Sequence, residues 1–200
     1  MRPLRRDIFE YNQFFHVFNK FNPELILKRK ELGMIQKIIE KEALSSPEIK
    51  IVACNILQNH YHLLLSVDEK EFKNRLPDDN RLGISVFMHK INTRIARYVN
   101  RKKKRNGKVF YDRFKSKFVD SVEYFNNVFR YITDNAMKHY KIAKEKWKFT
   151  SWHFYNKTKD WMQSFLVGIE DLAKKIYGVR PNIGNPLNLD YTTPYPIDDI

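Results

Sequence analysis

Two apolar segments separated by a short polar turn constrain the fold of this chain more than any other feature. Residues 49–57 (IKIVACNIL) and 60–67 (HYHLLLSV) have the length and aliphatic content of β-strands, and a Gln-Asn pair lies between them. A two-residue connection joins antiparallel neighbours, so this pattern predicts a β-hairpin. Because side chains alternate along a strand, His60 and His62 should lie on one face and the neighbouring leucines on the other.

Further elements are predicted on either side of this hairpin. A strand is expected at residues 11–19, a helix at 26–44, a polar loop at 69–80, a long helix at 84–105, one or two short strands at 108–120 and a helix beginning after Ser121. This order predicts an α+β fold of the ferredoxin-like type, an antiparallel sheet with helices on one face. The other face, with His60 and His62, is then expected to be open to a partner. We expect residues 1–155 to form this domain and residues 156–200 to form a C-terminal extension, a helix followed by a Pro-rich acidic tail.

Positive charge is concentrated in one part of the chain. The 200 residues have a formal net charge of +14, and residues 81–120 contain thirteen Lys and Arg but only two Asp. Such a block usually faces a polyanion, and nucleic acid is a better candidate than a membrane surface because no basic amphipathic helix stands apart from the fold. The side chains expected to contact phosphates are Lys90, Arg94, Arg97, Arg101, Lys102, Lys104, Arg105, Arg113 and Lys115. A solvated helix face is the alternative for the helical members of this set.

Composition argues against membrane and secreted classes. No apolar run approaches the roughly 20 residues that a membrane helix needs, and the N-terminal MRPLRRDIFE has no apolar signal region. A hydrophobic content of 42% and an aromatic content of 14% indicate a globular chain rather than a disordered one. The single cysteine, Cys54, rules out an internal disulfide, and this suits the cytoplasm.

Two pairs of polar residues are candidates for a site. A His-x-His pair on a strand brings two imidazoles together, and imidazole is a common metal ligand, although a polar sheet edge is an alternative that the spacing leaves open. Tyr131 and Asn135 are spaced i, i+4 in the last predicted helix, so they project from one side of it. An ordinary surface tyrosine is the alternative for Tyr131. His16 on the first strand fits a structural role as well as a functional one.

Taken in order, these motifs resemble a known family. The segments NHYHLLL, YVNRKKKRNGKVFYDRF and RYITDN are similar to those of the Y1 transposases of the HUH nuclease superfamily, in particular the IS200-like and REP-associated tyrosine transposases. FFHVFNKF near the start is similar to the opening strand of that family. The resemblance extends from about residue 11 to residue 155.

The resemblance implies a role for each residue of the two polar pairs. His60 and His62 correspond to the histidines that bind a divalent cation, Mg²⁺ or Mn²⁺, and Asn135 corresponds to the amide that completes the metal site. Tyr131 corresponds to the catalytic tyrosine. The implied reaction is the nicking of single-stranded or hairpin DNA, in which the tyrosine is joined to the 5′-phosphate before strand transfer. The implied enzyme is a monomer or a homodimer.

The chain departs from the family pattern in two places. Gln58 stands where the family usually has a proline before Asn-His, and Ala136 stands where a proline usually follows the amide. Since proline tends to end or kink a helix, Ala136 predicts a helix that continues beyond Asn135 and a changed setting for Tyr131. A nucleic-acid-binding protein that has lost catalysis is therefore the second hypothesis. A metal hydrolase that uses water instead of Tyr131 is the third.

Overall fold

The fold is organised around an antiparallel sheet. In the computed structural model, residues 11–76, 83–156, 169–179 and 181 are described. Within them the sheet has four strands in the order β2-β3-β1-β4: β1 (Phe14–Lys20), β2 (Ile49–Ile56), β3 (His60–Val67) and β4 (Lys115–Val119). The helices are α1 (Arg29–Leu44), α2 (Glu69–Arg75), α3 (Gly83–Lys102), α4 (Val122–Tyr140), α5 (Trp152–Tyr155) and α6 (Ile169–Tyr177). This arrangement confirms the predicted ferredoxin-like α+β class.

The predicted hairpin is present with the expected turn. Strands β2 and β3 pair antiparallel from Ile49 opposite Val67 to Ile56 opposite Tyr61. The Leu57 amide donates to the His60 carbonyl at 2.8 Å and closes the turn. Every residue of β3 is buried, and β2 is buried at all but one position. Strands that are buried at nearly every position are typical of sheets covered on both faces.

Helices do cover both faces, which corrects the expectation of a sheet with helices on one face and an open second face. α1 and α3 pack on the face that carries Tyr61, Leu63 and Leu65. α4 packs on the opposite face, where its apolar side chains meet Leu64. The run of three leucines at the end of NHYHLLL is the physical reason, because the middle one needs an apolar cover on the second face.

The segment predicted as a polar loop begins with a helix instead. α2 is capped by Asp68, whose carboxylate accepts a hydrogen bond from the Glu71 amide at 3.0 Å. Phe72 is its buried anchor, and Arg75 forms an ion pair with the buried Glu48. One cap and one apolar anchor are therefore enough to order this turn. Residues 77–80 of the predicted loop lie outside the described residues.

The described part of the C-terminal extension packs on the same face as α4. Leu172, Ala173 and Ile176 of α6 join the apolar cluster there, and the Tyr177 hydroxyl donates to the Val119 carbonyl at 2.7 Å. The predicted acidic tail lies outside the described residues. In the part of the chain that is described, no helix has both the length and the apolar character required to span a bilayer.

Candidate active site

β3 places two imidazoles under α4. Since side chains alternate along the strand, His60 and His62 lie on the α4 face, and their ring centroids are 4.7 Å apart. Both side chains are buried, with 6% and 2% of their surface exposed. The strand begins at His60, directly after the hairpin turn, so the pair lies at one end of the sheet.

α4 brings a tyrosine and an amide to the same place. The helix begins after Ser121, whose hydroxyl accepts a hydrogen bond from the Tyr124 amide at 3.2 Å. Because α4 lies directly over β2 and β3, Tyr131 and Asn135 are buried between helix and sheet. The Tyr131 ring is 5.2 Å from the His62 ring in an edge-to-face contact. The Asn135 Oδ1 atom is 3.1 Å from His60 Nε2.

The hydrogen bonds of His60 indicate which of its nitrogens carries the proton. Its Nδ1 is 2.7 Å from Asn59 Oδ1, and an amide oxygen only accepts, so the proton lies on Nδ1. The same Asn59 oxygen accepts from the Tyr140 hydroxyl at 3.1 Å. A neutral imidazole with Nδ1 protonated has a bare lone pair on Nε2. This lone pair faces Asn135 Oδ1, which is a second acceptor.

Two facing acceptors repel unless a proton or a cation lies between them. Rotation of the Asn135 amide, with Nδ2 donating to His60 Nε2, is the cation-free solution. A cation bound by both atoms is the other solution. Asn135 Nδ2 has no hydrogen-bond partner in the described chain, so nothing in these residues holds the amide in its present orientation.

In His62, Nδ1 forms a hydrogen bond and Nε2 does not. Its Nδ1 is 2.9 Å from Nε2 of His16, a fully buried residue of β1. Its Nε2 is buried without a hydrogen-bond partner among the described residues. Those residues contain no group of three or more His, Cys, Asp or Glu suited to a metal, so the candidate ligand set is two imidazoles and one amide. Such a set fits a divalent transition metal such as Mn²⁺.

Burial keeps these imidazoles neutral. It lowers the pKa of His60 to about 4, with a smaller contribution from the neighbouring His139. It lowers the pKa of His16 to about 3, with help from Lys117, and holds the pKa of His62 well below its ordinary value. A neutral imidazole is the form that ligates a metal. The site is therefore in its ligating protonation state at neutral pH.

Comparison with known proteins places the chain in a family. Residues 24–135 match the family described as "Transposase IS200 like". The matched residues make up more than half of the chain. The chain belongs to the IS200-like transposase family. Membership supports a transposase-like role in DNA processing, and it confirms the resemblance drawn from NHYHLLL and RYITDN. No curated protein matches the sequence.

Two solved structures are similar to this family member. A REP-associated tyrosine transposase bound to a REP hairpin shares 17% sequence identity, with a TM-score of 0.62 over 84% of this chain and 92% of the other. This likeness confirms the fold. A Deinococcus radiodurans protein, whose own assignment as a transposase is provisional, shares 15% identity over 62% of this chain and 89% of the other. Its TM-score of 0.42 is too low to establish a shared fold.

The predicted phosphate-binding residues fall into separate places around this transposase fold. Lys90, Arg94, Arg97 and Arg101 belong to α3, which lies across the sheet from Tyr131. Arg94 is tied to the nearly buried Glu42 of α1 at 2.6 Å. Lys102, Lys104, Arg105 and Arg113 lie at the end of α3 and in the connection to β4. Lys115 is on β4 with its ammonium group 5.8 Å from the Phe18 ring, beside the histidines.

Three further polar residues adjoin the site. Lys138 lies 5.5 Å above the Tyr131 ring, and the His139 ring is 5.0 Å from that of His60. Lys20 pairs with His60 across the sheet, and these three side chains are exposed. His139 follows Asn135 by one more helical turn, so its spacing was a usable signal. The position of Lys20 depends on strand register, which the sequence does not reveal.

Tyr140, near the end of α4, contacts the hairpin turn that precedes His60. Its hydroxyl accepts from the Gln58 amide and donates to Asn59 Oδ1, both at 3.1 Å. Ala136 permits this contact, because α4 continues to Tyr140 without a proline. The residue therefore supports the orientation of His60 through Asn59.

Proposed function

We propose that this transposase family member nicks single-stranded DNA with Tyr131 as the nucleophile. The observation that carries the proposal is the convergence of His60, His62, Asn135 and Tyr131 on one buried face between α4 and the sheet. The similar REP-associated transposase was solved with a REP hairpin. Hairpin DNA with a single-stranded flank is therefore the substrate to test first.

Tyr131 performs the chemical step in this proposal. Its phenol oxygen forms a bond to the scissile phosphorus while the bond to the 3′-oxygen of the preceding nucleotide breaks. The phenol gives up one proton and the departing 3′-oxygen takes one up, so the reaction consumes no net acid or base. The phosphotyrosine conserves the energy of the broken bond, and a free 3′-OH can attack it to complete strand transfer.

His60 Nε2, His62 Nε2 and Asn135 Oδ1 would hold a divalent cation. When bound, the cation supplies Lewis-acid polarisation of the scissile phosphate and stabilises charge on its oxygens. Neutral ligands leave the +2 charge uncompensated, which favours an anionic substrate. The nitrogen ligands suit Mn²⁺ better than Mg²⁺, whereas cellular supply favours Mg²⁺.

Cationic side chains around the site would position the DNA strand. Lys138 lies beside Tyr131, and Lys115 and Lys117 project from β4 on the α4 face. Contacts from such side chains go to phosphates, so they fix register without reading sequence. The exposed Tyr111, whose amide bonds to the Lys20 carbonyl at 2.9 Å, offers a ring on which an unpaired base can stack. The remaining predicted cations would contact DNA outside the site.

The proposal predicts different behaviour for two variants in a nicking assay. End-labelled single-stranded hairpin DNA is incubated with Mn²⁺ and the products are separated by denaturing electrophoresis. His60→Ala should abolish cutting by lowering metal occupancy, so excess Mn²⁺ should restore part of the activity. Tyr131→Phe keeps the ring and removes the reacting oxygen, so no concentration of Mn²⁺ should restore it.

Controls separate this proposal from its competitors. His153→Phe changes a buried histidine that bonds to the Trp147 carbonyl, away from the site, and it should nick like the wild type. Chelation of the cation with EDTA should stop cutting by the wild type and by the His153→Phe control. DNA binding without nicking in the wild type would contradict the proposal and favour the binding protein that has lost catalysis.

A further inference from the structure

His16 is a buried polar residue on the floor of the site that the proposed chemistry leaves without a role. It lies on β1 on the face that carries Phe14 and Phe18, and none of its surface is exposed. Its ring lies nearly parallel to that of His62 with centroids 5.0 Å apart, and it makes an edge contact with the Tyr131 ring at 5.9 Å. Its Nε2 lies 2.9 Å from His62 Nδ1. A buried polar group destabilises the folded protein unless it forms a hydrogen bond.

Only one proton can lie between these two nitrogens, and its position decides what His62 can do. If His62 Nδ1 donates to His16 Nε2, then Nε2 of His62 is unprotonated and its lone pair can bind a cation. If His16 Nε2 donates instead, Nε2 of His62 carries the proton and cannot ligate a cation. Each arrangement leaves the same two atoms, His16 Nδ1 and His62 Nε2, without a partner in the described chain. A cation satisfies the second of these atoms only in the first arrangement.

We infer that His16 is a positioning residue that accepts a hydrogen bond from His62 Nδ1 and so directs His62 Nε2 toward a divalent cation. The inference rests on the proposed function, because it needs a cation at the site. With this role for His16, the Nδ1 atom of each proposed ligand histidine donates one hydrogen bond. Asn59 accepts from His60 Nδ1 at 2.7 Å, and His16 accepts from His62 Nδ1. Metal-ligating imidazoles generally have their second nitrogen bonded in this way, and the bond fixes both tautomer and ring orientation.

A purely structural role for His16 makes a different prediction. The His16 ring contacts the rings of Phe18, His62 and Tyr131, so a phenylalanine ring in its place would keep the aromatic packing. If packing were the only role, His16→Phe would leave the affinity for metal unchanged. If the acceptor matters, the same variant leaves His62 Nδ1 without a partner and frees the ring to turn.

The test measures Mn²⁺ binding without DNA, through the loss of the free-ion signal in electron paramagnetic resonance. His16→Phe should weaken Mn²⁺ binding about tenfold to a hundredfold. His16→Gln places an amide oxygen where Nε2 accepts, and it should bind within about threefold of the wild type by the same reasoning. His153→Phe, the matched buried control, should bind like the wild type. Circular dichroism and the thermal midpoint establish that each variant is folded.

Each result decides the role of His16 separately from the proposed function. A folded His16→Phe protein that binds Mn²⁺ like the wild type, or a Gln variant as weak as the Phe variant, overturns the inference. If the Phe variant does not fold, long-range ¹H–¹⁵N spectra of the wild-type histidines with saturating Mg²⁺ replace it. Protonation of His62 at Nδ1 supports the inference, and protonation at Nε2 overturns it. A wild type that binds neither ion removes the proposed cation, and with it the basis of this role.

Discussion

Each histidine of the candidate site has one ring nitrogen in a hydrogen bond, and the two rings lie side by side on the α4 face of the sheet. The bonds to Asn59 and His16 are 2.7 and 2.9 Å long, and the imidazoles they hold are neutral because burial disfavours their charged form. A site of neutral ligands tolerates burial far better than one built from carboxylates. The candidate set of two imidazoles and an amide is therefore compatible with its burial between a helix and a sheet.

The neutral histidines make stability depend on pH. Burial lowers the pKa of His16 to about 3, so between about pH 3 and its ordinary value of 6.5 the unfolded chain binds the proton and the folded chain does not. The free energy of unfolding must then rise with pH in this window and fall on acidification. From pH 7 to pH 5 one such histidine removes about 2 kcal/mol. Urea denaturation at pH 7 and pH 5 measures the free energy of unfolding at each pH. The loss between pH 7 and pH 5 should be about 2 kcal/mol smaller for His16→Gln than for the wild type. Equal losses in the two proteins would contradict the prediction.

At the residue scale, the sequence was informative wherever a single element determines the geometry. Alternation along β3 correctly put His60 and His62 on one face, and helical spacing correctly put Tyr131 and Asn135 on one side of α4. The contact between His16 and His62 depends on the pairing of β1 with β3, and strand register is not encoded in the spacing of either residue. The role of these residues in catalysis stays a prediction.

α4 is the element on which the site depends, and contacts with β2 and with the turn after the helix hold it in place. Asp134, next to Asn135, forms an ion pair with Lys144 at 3.0 Å, with 6% and 8% of the two side chains exposed. The Asn55 amide donates to the Ile132 carbonyl at 2.7 Å and links the helix to β2. These contacts explain why a helix that continues past Ala136 still lies against the sheet.

Removing one charge of the buried pair should destabilise the protein strongly. Asp134→Asn leaves the Lys144 ammonium without this counter-charge, which should lower the free energy of unfolding by about 3 kcal/mol. Glu145→Gln, an exposed change in the adjoining turn, should alter it by no more than about 0.5 kcal/mol. Urea denaturation at pH 7 measures both values. Similar effects of the two substitutions would mean that the pair contributes little.

The sequence predicted the elements better than their arrangement. Helical periodicity and the Ser121 cap correctly indicated α4, and the apolar runs correctly indicated the hairpin. The helix on the second face was not predicted, because the two histidines on that face suggested an open polar surface. Leu64 lies on the same face and packs against α4, so that face needs an apolar cover. α2 was missed because its apolar content is a single buried phenylalanine, Phe72.

Across the whole molecule, positive charge occurs on both sides of the sheet. Lys115, Lys117 and Lys138 adjoin the site on the α4 side, whereas Arg97 and Arg101 are exposed on α3 on the other side. A single strand at Tyr131 can meet the first group directly. The second group can only reach DNA that extends around the fold, such as the duplex part of a hairpin.

The two groups should therefore respond differently to substitution. Arg97→Ala with Arg101→Ala should reduce the slope of log affinity against log salt by about 0.9 for each lost duplex phosphate, and cleavage at saturating protein should persist. Lys115→Ala with Lys117→Ala should reduce the slope for single strands by about 0.7 per contact and should also slow cleavage. Fluorescence anisotropy at several salt concentrations gives both slopes. An unchanged slope in the arginine variant would identify its surface as merely solvated.

The most direct test of the central claim is to identify the residue that becomes bonded to DNA. The wild-type protein is incubated with Mn²⁺ and a single-stranded hairpin substrate, denatured, and digested with nuclease and protease. Mass spectrometry of the peptides should find a nucleotide 5′-phosphate on Tyr131 and no such adduct in Tyr131→Phe. An adduct on Tyr124 or Tyr140 would contradict the assignment of the nucleophile. Nicked DNA with no adduct on any tyrosine would contradict the phosphotyrosine mechanism and favour attack by water.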